Sequence, residues 1–85
     1  MKYTVLWAPS AEATLANLWL TDAERQLIAN AADAMDTLLA RNPLQLGESR
    51  EGSSRIFFVG PLAAVFAVSD ADRMVLVESI WRIGK

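Results

Sequence analysis

The stretch from Arg55 to Ile83 constrains this chain most. It holds three runs rich in Val, Ile, Phe and Ala, Arg55–Val59, Leu62–Ser69 and Arg73–Ile83, separated only by Gly60-Pro61 and Asp70-Ala71-Asp72. β-branched and aromatic residues in short runs between tight turns predict an antiparallel meander. In the central run Leu62, Ala64, Phe66 and Val68 point one way and suit a core, while Ala63, Val65, Ala67 and Ser69 point the other way. A sheet face open to water usually alternates in polar residues. This second face is small and weakly apolar, which leaves two readings. Either a partner segment, a second protomer or an extra strand covers it, or its residues are small enough to be tolerated in water.

The first forty residues read differently. Tyr3, Val5 and Trp7 alternate with Lys2, Thr4 and Leu6 as a strand does, and Pro9 suits the first turn of a helix. Ala11, Leu15, Leu18 and Trp19 recur at helical spacing in the segment 9–20. Thr21-Asp22-Ala23-Glu24 has the pattern of a capping box, which predicts a second helix from about Asp22 to Arg41. Leu27, Ala31, Met35, Leu38 and Leu39 are its expected inward face, and Asn42-Pro43 ends it. Pro43 to Ser54 reads as a polar loop. The expectation is one α+β domain, residues 1–85, ordered β-α-α-β-β-β, with a helical hairpin on one face of a small, mainly antiparallel sheet.

Eighty-five residues support a single core, and 53% hydrophobic with 21% charged residues is globular. There is no cysteine and no histidine, so a disulfide scaffold, thiol chemistry and the commonest metal ligand are excluded, and no cofactor is expected. The opening residues reach Pro9 and Glu12 too soon for a signal peptide, and the longest apolar run, Ile56 to Val68, is interrupted by Gly60-Pro61. A cytoplasmic protein with no membrane contact is the expectation. Net charge is −2, with the first forty residues at −3 and the remainder at +1. Electrostatic capture of nucleic acid should therefore be weak, apart from a local patch in the second half.

The element order, the opening strand followed by Pro9-Ser10-Ala11, and the sequences Val59–Val68, Asp72–Val77 and Ile80–Ile83 together resemble the RelE/ParE toxin superfamily. The resemblance covers nearly the whole chain through order and spacing, with no single decisive motif. It implies the toxin of a bacterial type II toxin–antitoxin (plasmid stabilisation) system, neutralised by a cognate antitoxin. Such toxins either cut mRNA on the ribosome or poison DNA gyrase. The alternative is a catalytically inactive toxin fold that serves as a protein-binding module; a homodimer is compatible with either.

Relatives often carry Tyr-Arg after the hairpin proline and a second Arg four residues on; here the matching positions are Leu62, Ala63 and Ala67. Near the end of the last strand, where relatives place His, Tyr or Arg, stands Trp81 followed by Arg82. Attack by a ribose 2′-hydroxyl needs a base, an acid and cations for the charged intermediate. Arg55 and Arg82 are the candidate catalytic cations, Arg50 and Arg73 candidate substrate-binding groups, and Glu48 the one candidate base nearby, since guanidinium stays protonated above pH ~12. If they act together, Arg50, Arg55 and Arg82 should share one surface. Each also has a structural reading: Arg82 a surface charge, Arg55 a strand opener, Glu48 and Arg50 a loop ion pair. Tyr3, Trp7, Trp19 and Trp81 read as core or interface aromatics. The two missing arginines predict a weak or absent ribonuclease.

Overall fold

The computed structural model describes residues 2–49 and 54–83, without the side chains of residues 48 and 49. Strand β1 (Thr4–Trp7) leads through Pro9 into helix α1 (Pro9–Thr21), and helix α2 (Arg25–Arg41) returns beside it. A 3-10 turn (Pro43–Gln45), a two-residue strand β2 (Glu48–Ser49), and strands β3 (Ser54–Val59), β4 (Leu62–Ser69) and β5 (Met74–Arg82) follow. The sheet order is β1-β5-β4-β3-β2, with β1 parallel to β5 and every other pair antiparallel. This is the expected β-α-α-β-β-β arrangement, two helices packed on one face of a mixed sheet. No helix among the described residues is long and apolar enough to cross a membrane.

Three local expectations are corrected. Thr21 does not cap α2: α1 continues through it, and its hydroxyl donates to the Asn17 carbonyl at 2.8 Å. Asp22 turns extended and its carboxylate accepts the Glu24 N–H at 2.8 Å, so α2 starts three residues later than expected, at Arg25. The inward face of α2 is Ile28, Ala31, Ala32, Met35 and Leu39; Leu27 and Leu38 are exposed. Trp19 of α1 is exposed as well. Finally, the segment read as a loop contains β2, which exists only by pairing with Ile56 and Arg55. Gly47 makes that pairing possible: it has φ +68°, and a Cβ there would sit 2.2 Å from the Ile56 carbonyl oxygen.

The core lies between the sheet and the hairpin. Leu62, Ala64 and Phe66 of β4 and Val75, Val77 and Ile80 of β5 meet Ala11 of α1 and the buried row of α2. Phe57 of β3 packs edge-on against Phe66, ring centroids 5.1 Å apart. The Tyr3 N–H donates to the Ala40 carbonyl at 2.8 Å, tying the end of α2 to the start of β1.

A β-bulge decides which way the last strand faces. Val65 pairs with Ser79 but the next residue, Phe66, pairs with Val77, leaving Glu78 as the extra residue. Without it, alternation from Val75 and Val77 would carry Ser79 and Trp81 inward. With it, Ile80 and Arg82 face the helices, while Ser79 and Trp81 face away.

Candidate functional site

Two surfaces stand out, one on each side of the sheet. On the side away from the helices, register places four rows across the strands: Phe58–Ala63–Trp81, Ile56–Val65–Ser79, Ser54–Ala67–Leu76 with Leu6 beyond, and Ser69–Met74–Thr4. Phe58, Leu6, Leu76, Trp81 and Met74 are between 36% and 60% exposed there. Ala63 is fully buried, with Phe58 and Trp81 as its cross-strand neighbours. Sequence reading found the small residues of β4 but not the large side chains flanking them, because that required knowing which strands are neighbours and where the bulge lies. Among the described residues the ionisable side chain on this face is Glu78, held at the bulge by a hydrogen bond from Ser54 Oγ at 3.1 Å.

Ala63 and Ala67, the positions at which the resemblance leads one to expect arginines, therefore lie on a face that carries no cation among the described residues. Among the described residues, no arginine gathers there. Arg82 sits on the helix side, its side chain 11% exposed, with Nε 2.5 Å from Asp22 Oδ2 and Nη2 2.5 Å from Glu24 Oε1. The carboxylates are those of the turn between α1 and α2, so the residues read as a helix cap neutralise the residue read as a phosphate clamp. Arg55 lies in the Phe66 row, and its Nε donates to the Leu46 carbonyl at 3.0 Å, bracing the chain before β2. Along β4 the rows of Arg55 and Arg82 are four residues apart, roughly 13 Å. Both rows face the helices, and each arginine is engaged by its own partners there. Arg50 and the Glu48 side chain lie outside the described residues; the Glu48 backbone pairs with Ile56.

Arg73 is in the β4–β5 turn at the other end of the strands, at φ 53°, with its guanidinium 5.4 Å from the centre of the Tyr3 ring. The Tyr3 hydroxyl donates to Asp70 Oδ1 in the same turn. That hydrogen bond, with a little desolvation and the Asp70 charge, raises the Tyr3 pKa above its ordinary 10.0 despite the opposing Arg73. Because the folded pKa is the higher one, the bond's contribution is fully present below the unfolded value and is lost as pH rises through the folded value. Tyr3 is the single tyrosine, so its ultraviolet titration reports it directly. The midpoint should lie above pH 10 and fall in Asp70→Asn; an unchanged midpoint in that variant would remove Asp70 as the cause.

On the helix side, Trp7, Leu15, Ala16, Trp19, Ala29 and Ala32 line a groove of about 510 Å³ between α1 and α2, with Glu12 and Asp33 at its rim. Arg25 lies over the Trp19 ring, 5.4 Å from its centre, and the Trp7 indole N–H donates to Asp36 Oδ1 at 3.4 Å. The groove is apolar on its floor and acidic on its edge. Among the described residues no group of three metal-ligating side chains occurs.

No family model matches the sequence, and no curated protein matches it. Solved structures do share its fold. A chain of the RelBE2 toxin–antitoxin complex of Mycobacterium tuberculosis superposes with TM-score 0.82 at 19% identity, covering 100% of this chain and 95% of that one. A chain of the chromosomal ParDE system of P. aeruginosa gives 0.67 at 15% identity over 96% and 97%. A chain of the archaeal RelE–RelB complex of Pyrococcus horikoshii gives 0.64 at 15% over 100% and 99%. The chain has a RelE/ParE-type toxin fold. At these identities the likeness is one of fold.

Proposed function

We propose that this chain is the toxin of a bacterial type II toxin–antitoxin pair, held inactive by a cognate antitoxin, and that it acts by binding a protein target rather than by cutting mRNA. The observation that carries the second half is a sheet face without a cation among the described residues: Ala63 and Ala67 lie on it, and Arg82 is turned away from it and paired with Asp22 and Glu24. Removing one charge-stabilising donor typically lowers a rate by ~10²–10³, and here two are missing with no histidine to compensate. On this reading Arg55, Arg82 and Glu48 are not a catalytic set, and Arg50 and Arg73 are not a phosphate site. DNA gyrase is then the favoured target over the ribosome and its mRNA.

The fold supports the antitoxin half, since its solved counterparts come from toxin–antitoxin complexes. The α1–α2 groove suits a partner segment that combines apolar anchors with Lys or Arg, because its floor is apolar and its rim is acidic. The test has three parts. Induced expression in a bacterial host should arrest growth, and co-expression of the adjacent short gene should relieve it. Purified protein should inhibit supercoiling by gyrase. Primer extension on programmed ribosomes should show no codon-dependent cleavage. Efficient cleavage lost in Arg82→Ala would overturn the binding reading, and absence of any growth effect would favour the inactive binding module.

A further inference from the structure

We infer that the end of the molecule where Arg41 and Arg73 meet is a docking site for a partner peptide, an Asp or Glu side chain of which sits between the two guanidinium groups. The inference stands on the charge and connectivity of that end and does not depend on the toxin reading.

Tyr3, Arg41, Asn42, Leu44, Gln45 and Arg73 line a cleft of about 260 Å³ there. It joins the end of α2, the 3-10 turn that follows, the start of β1 and the β4–β5 turn. Among the described residues no carboxylate is ion-paired with Arg41 or Arg73, whereas Arg82 is engaged by Asp22 and Glu24. Capping α2 does not require Arg41. The Leu38 carbonyl accepts the Asn42 N–H at 3.1 Å and the Ala40 carbonyl accepts the Tyr3 N–H at 2.8 Å, so backbone donors already serve the last turn. Arg73 lies in the left-handed region at φ 53°, where glycine or asparagine is easier. A long side chain held in a conformation that disfavours it points to a use for that side chain.

Charge selects the ligand. Asp70, which accepts the Tyr3 hydroxyl, stands beside the cleft, so two cations against one carboxylate leave a single positive charge. That balance matches one carboxylate and leaves a phosphate dianion uncompensated. The chain's net charge of −2 repels a polyanion. Arg73 lies over the Tyr3 ring, which also packs against the core, so the ring offers no platform for a nucleic-acid base. The amides of Asn42 and Gln45 suit a peptide backbone as donors and acceptors, and Leu44, 48% exposed, adds an apolar contact beyond the arginines.

The surroundings favour an extended chain over a small molecule. Through Arg41 the cleft continues into a hollow with Lys2, Asp36 and Thr37. Asp36 and Thr37 carry that hollow on to Trp7, Ala32 and Asp33 at the α1–α2 groove. The surface thus changes from basic at Arg41 and Arg73 to acidic at Asp36 and Asp33, roughly 8–12 Å away along α2 at ~1.5 Å per residue. An extended peptide covers that distance in about three residues at ~3.3 Å each. The fitting segment carries an acidic residue and, about three positions away, a Lys or Arg.

The probe is an end-capped, fluorescein-labelled peptide, Gly-Leu-Glu-Ala-Gly-Lys-Ala-Gly, titrated with the purified chain and read by fluorescence anisotropy. It should bind saturably, and less tightly as NaCl rises from about 50 to 500 mM. Replacing its Glu by Gln should weaken binding at least about five-fold, as should Arg41→Gln or Arg73→Gly in the protein, since charge-assisted hydrogen bonds are lost. Arg73→Gly also relieves the left-handed backbone, so its thermal midpoint should be no lower than that of the wild type, which separates lost binding from lost fold. Arg25→Gln, at the far end of α2, removes the same charge and should not weaken binding. Four results would each overturn the inference: no binding up to about 1 mM, equal binding of the Gln peptide, tighter binding of a version whose acid is a phosphoserine or only a free C-terminus, or indifference to both cleft-arginine variants.

Discussion

Phe66→Ala should destabilise the protein by about 3–5 kcal/mol, the usual range for emptying a fully buried aromatic site. Phe66 has no exposed surface and stands at the centre of the sheet, with Phe57 against its ring edge and the buried row of α2 in the same core. A domain of 85 residues has a total stability of about 4–13 kcal/mol at ~0.05–0.15 kcal/mol per residue. The variant therefore loses a large share of its margin, and at the low end of that range it does not fold. Urea unfolding followed by tryptophan fluorescence reads the change as a shift in midpoint at constant slope. Val65→Ala, one residue away on the half-buried outer face, should cost under about 1 kcal/mol. Equal costs at the two positions would mean that the core does not lie where the fold places it.

Arg82→Ala should cost about 2–3 kcal/mol, far more than the ~0–1 kcal/mol of a surface ion pair. The guanidinium and the Asp22 carboxylate are both about nine-tenths buried, at 11% and 10% exposure, so removing the cation strands a carboxylate in the turn between α1 and α2. Glu24 is 54% exposed and contributes little, which holds the figure below that of a fully buried network. Arg82→Met keeps the aliphatic stem and isolates the charge. A double-mutant cycle with Asp22→Asn should give a coupling above about 1 kcal/mol. An arginine kept for phosphate binding would behave in the opposite way, and its removal would be neutral or stabilising. A stable Arg82→Ala variant would thus reopen the phosphate-clamp reading.

The element order was legible because each element carries its own period. Alternation in Tyr3–Trp7 and Leu62–Ser69, the apolar spacing of α1 and α2, and the stops at Pro9, Asn42-Pro43, Gly60-Pro61 and Asp70–Asp72 are local signals. The inward face of α2 was only half legible. Residues 27, 28, 31, 32, 35, 38 and 39 are all apolar, a stripe wider than the contact. Only the seat of α2 against the sheet and α1 chose Ile28 and Ala32 over Leu27 and Leu38. Strand β2 left almost no signal, since two residues become a strand only when β3 pairs with them. The Thr21–Glu24 pattern was real as a boundary but wrong as a cap, because a distant residue, Arg82, competes for the carboxylates of Asp22 and Glu24.

The sequence by itself determined the α+β composition, the meander, the buried face of β4 and the absence of charge at Ala63 and Ala67. All of these follow from residue types at fixed local spacing. The tertiary structure alone decided the fate of the last strand. Alternation assigns faces only while two strands stay in register, and a bulge is a property of the pair rather than of either sequence. One unpaired residue at Glu78 turns Trp81 out onto the face that also carries Phe58, two strands away, and brings Arg82 in beneath the helices. A candidate phosphate ligand thereby becomes half of a mostly buried ion pair, and a face left open in the sequence comes to carry the exposed apolar side chains of Phe58, Leu76 and Trp81.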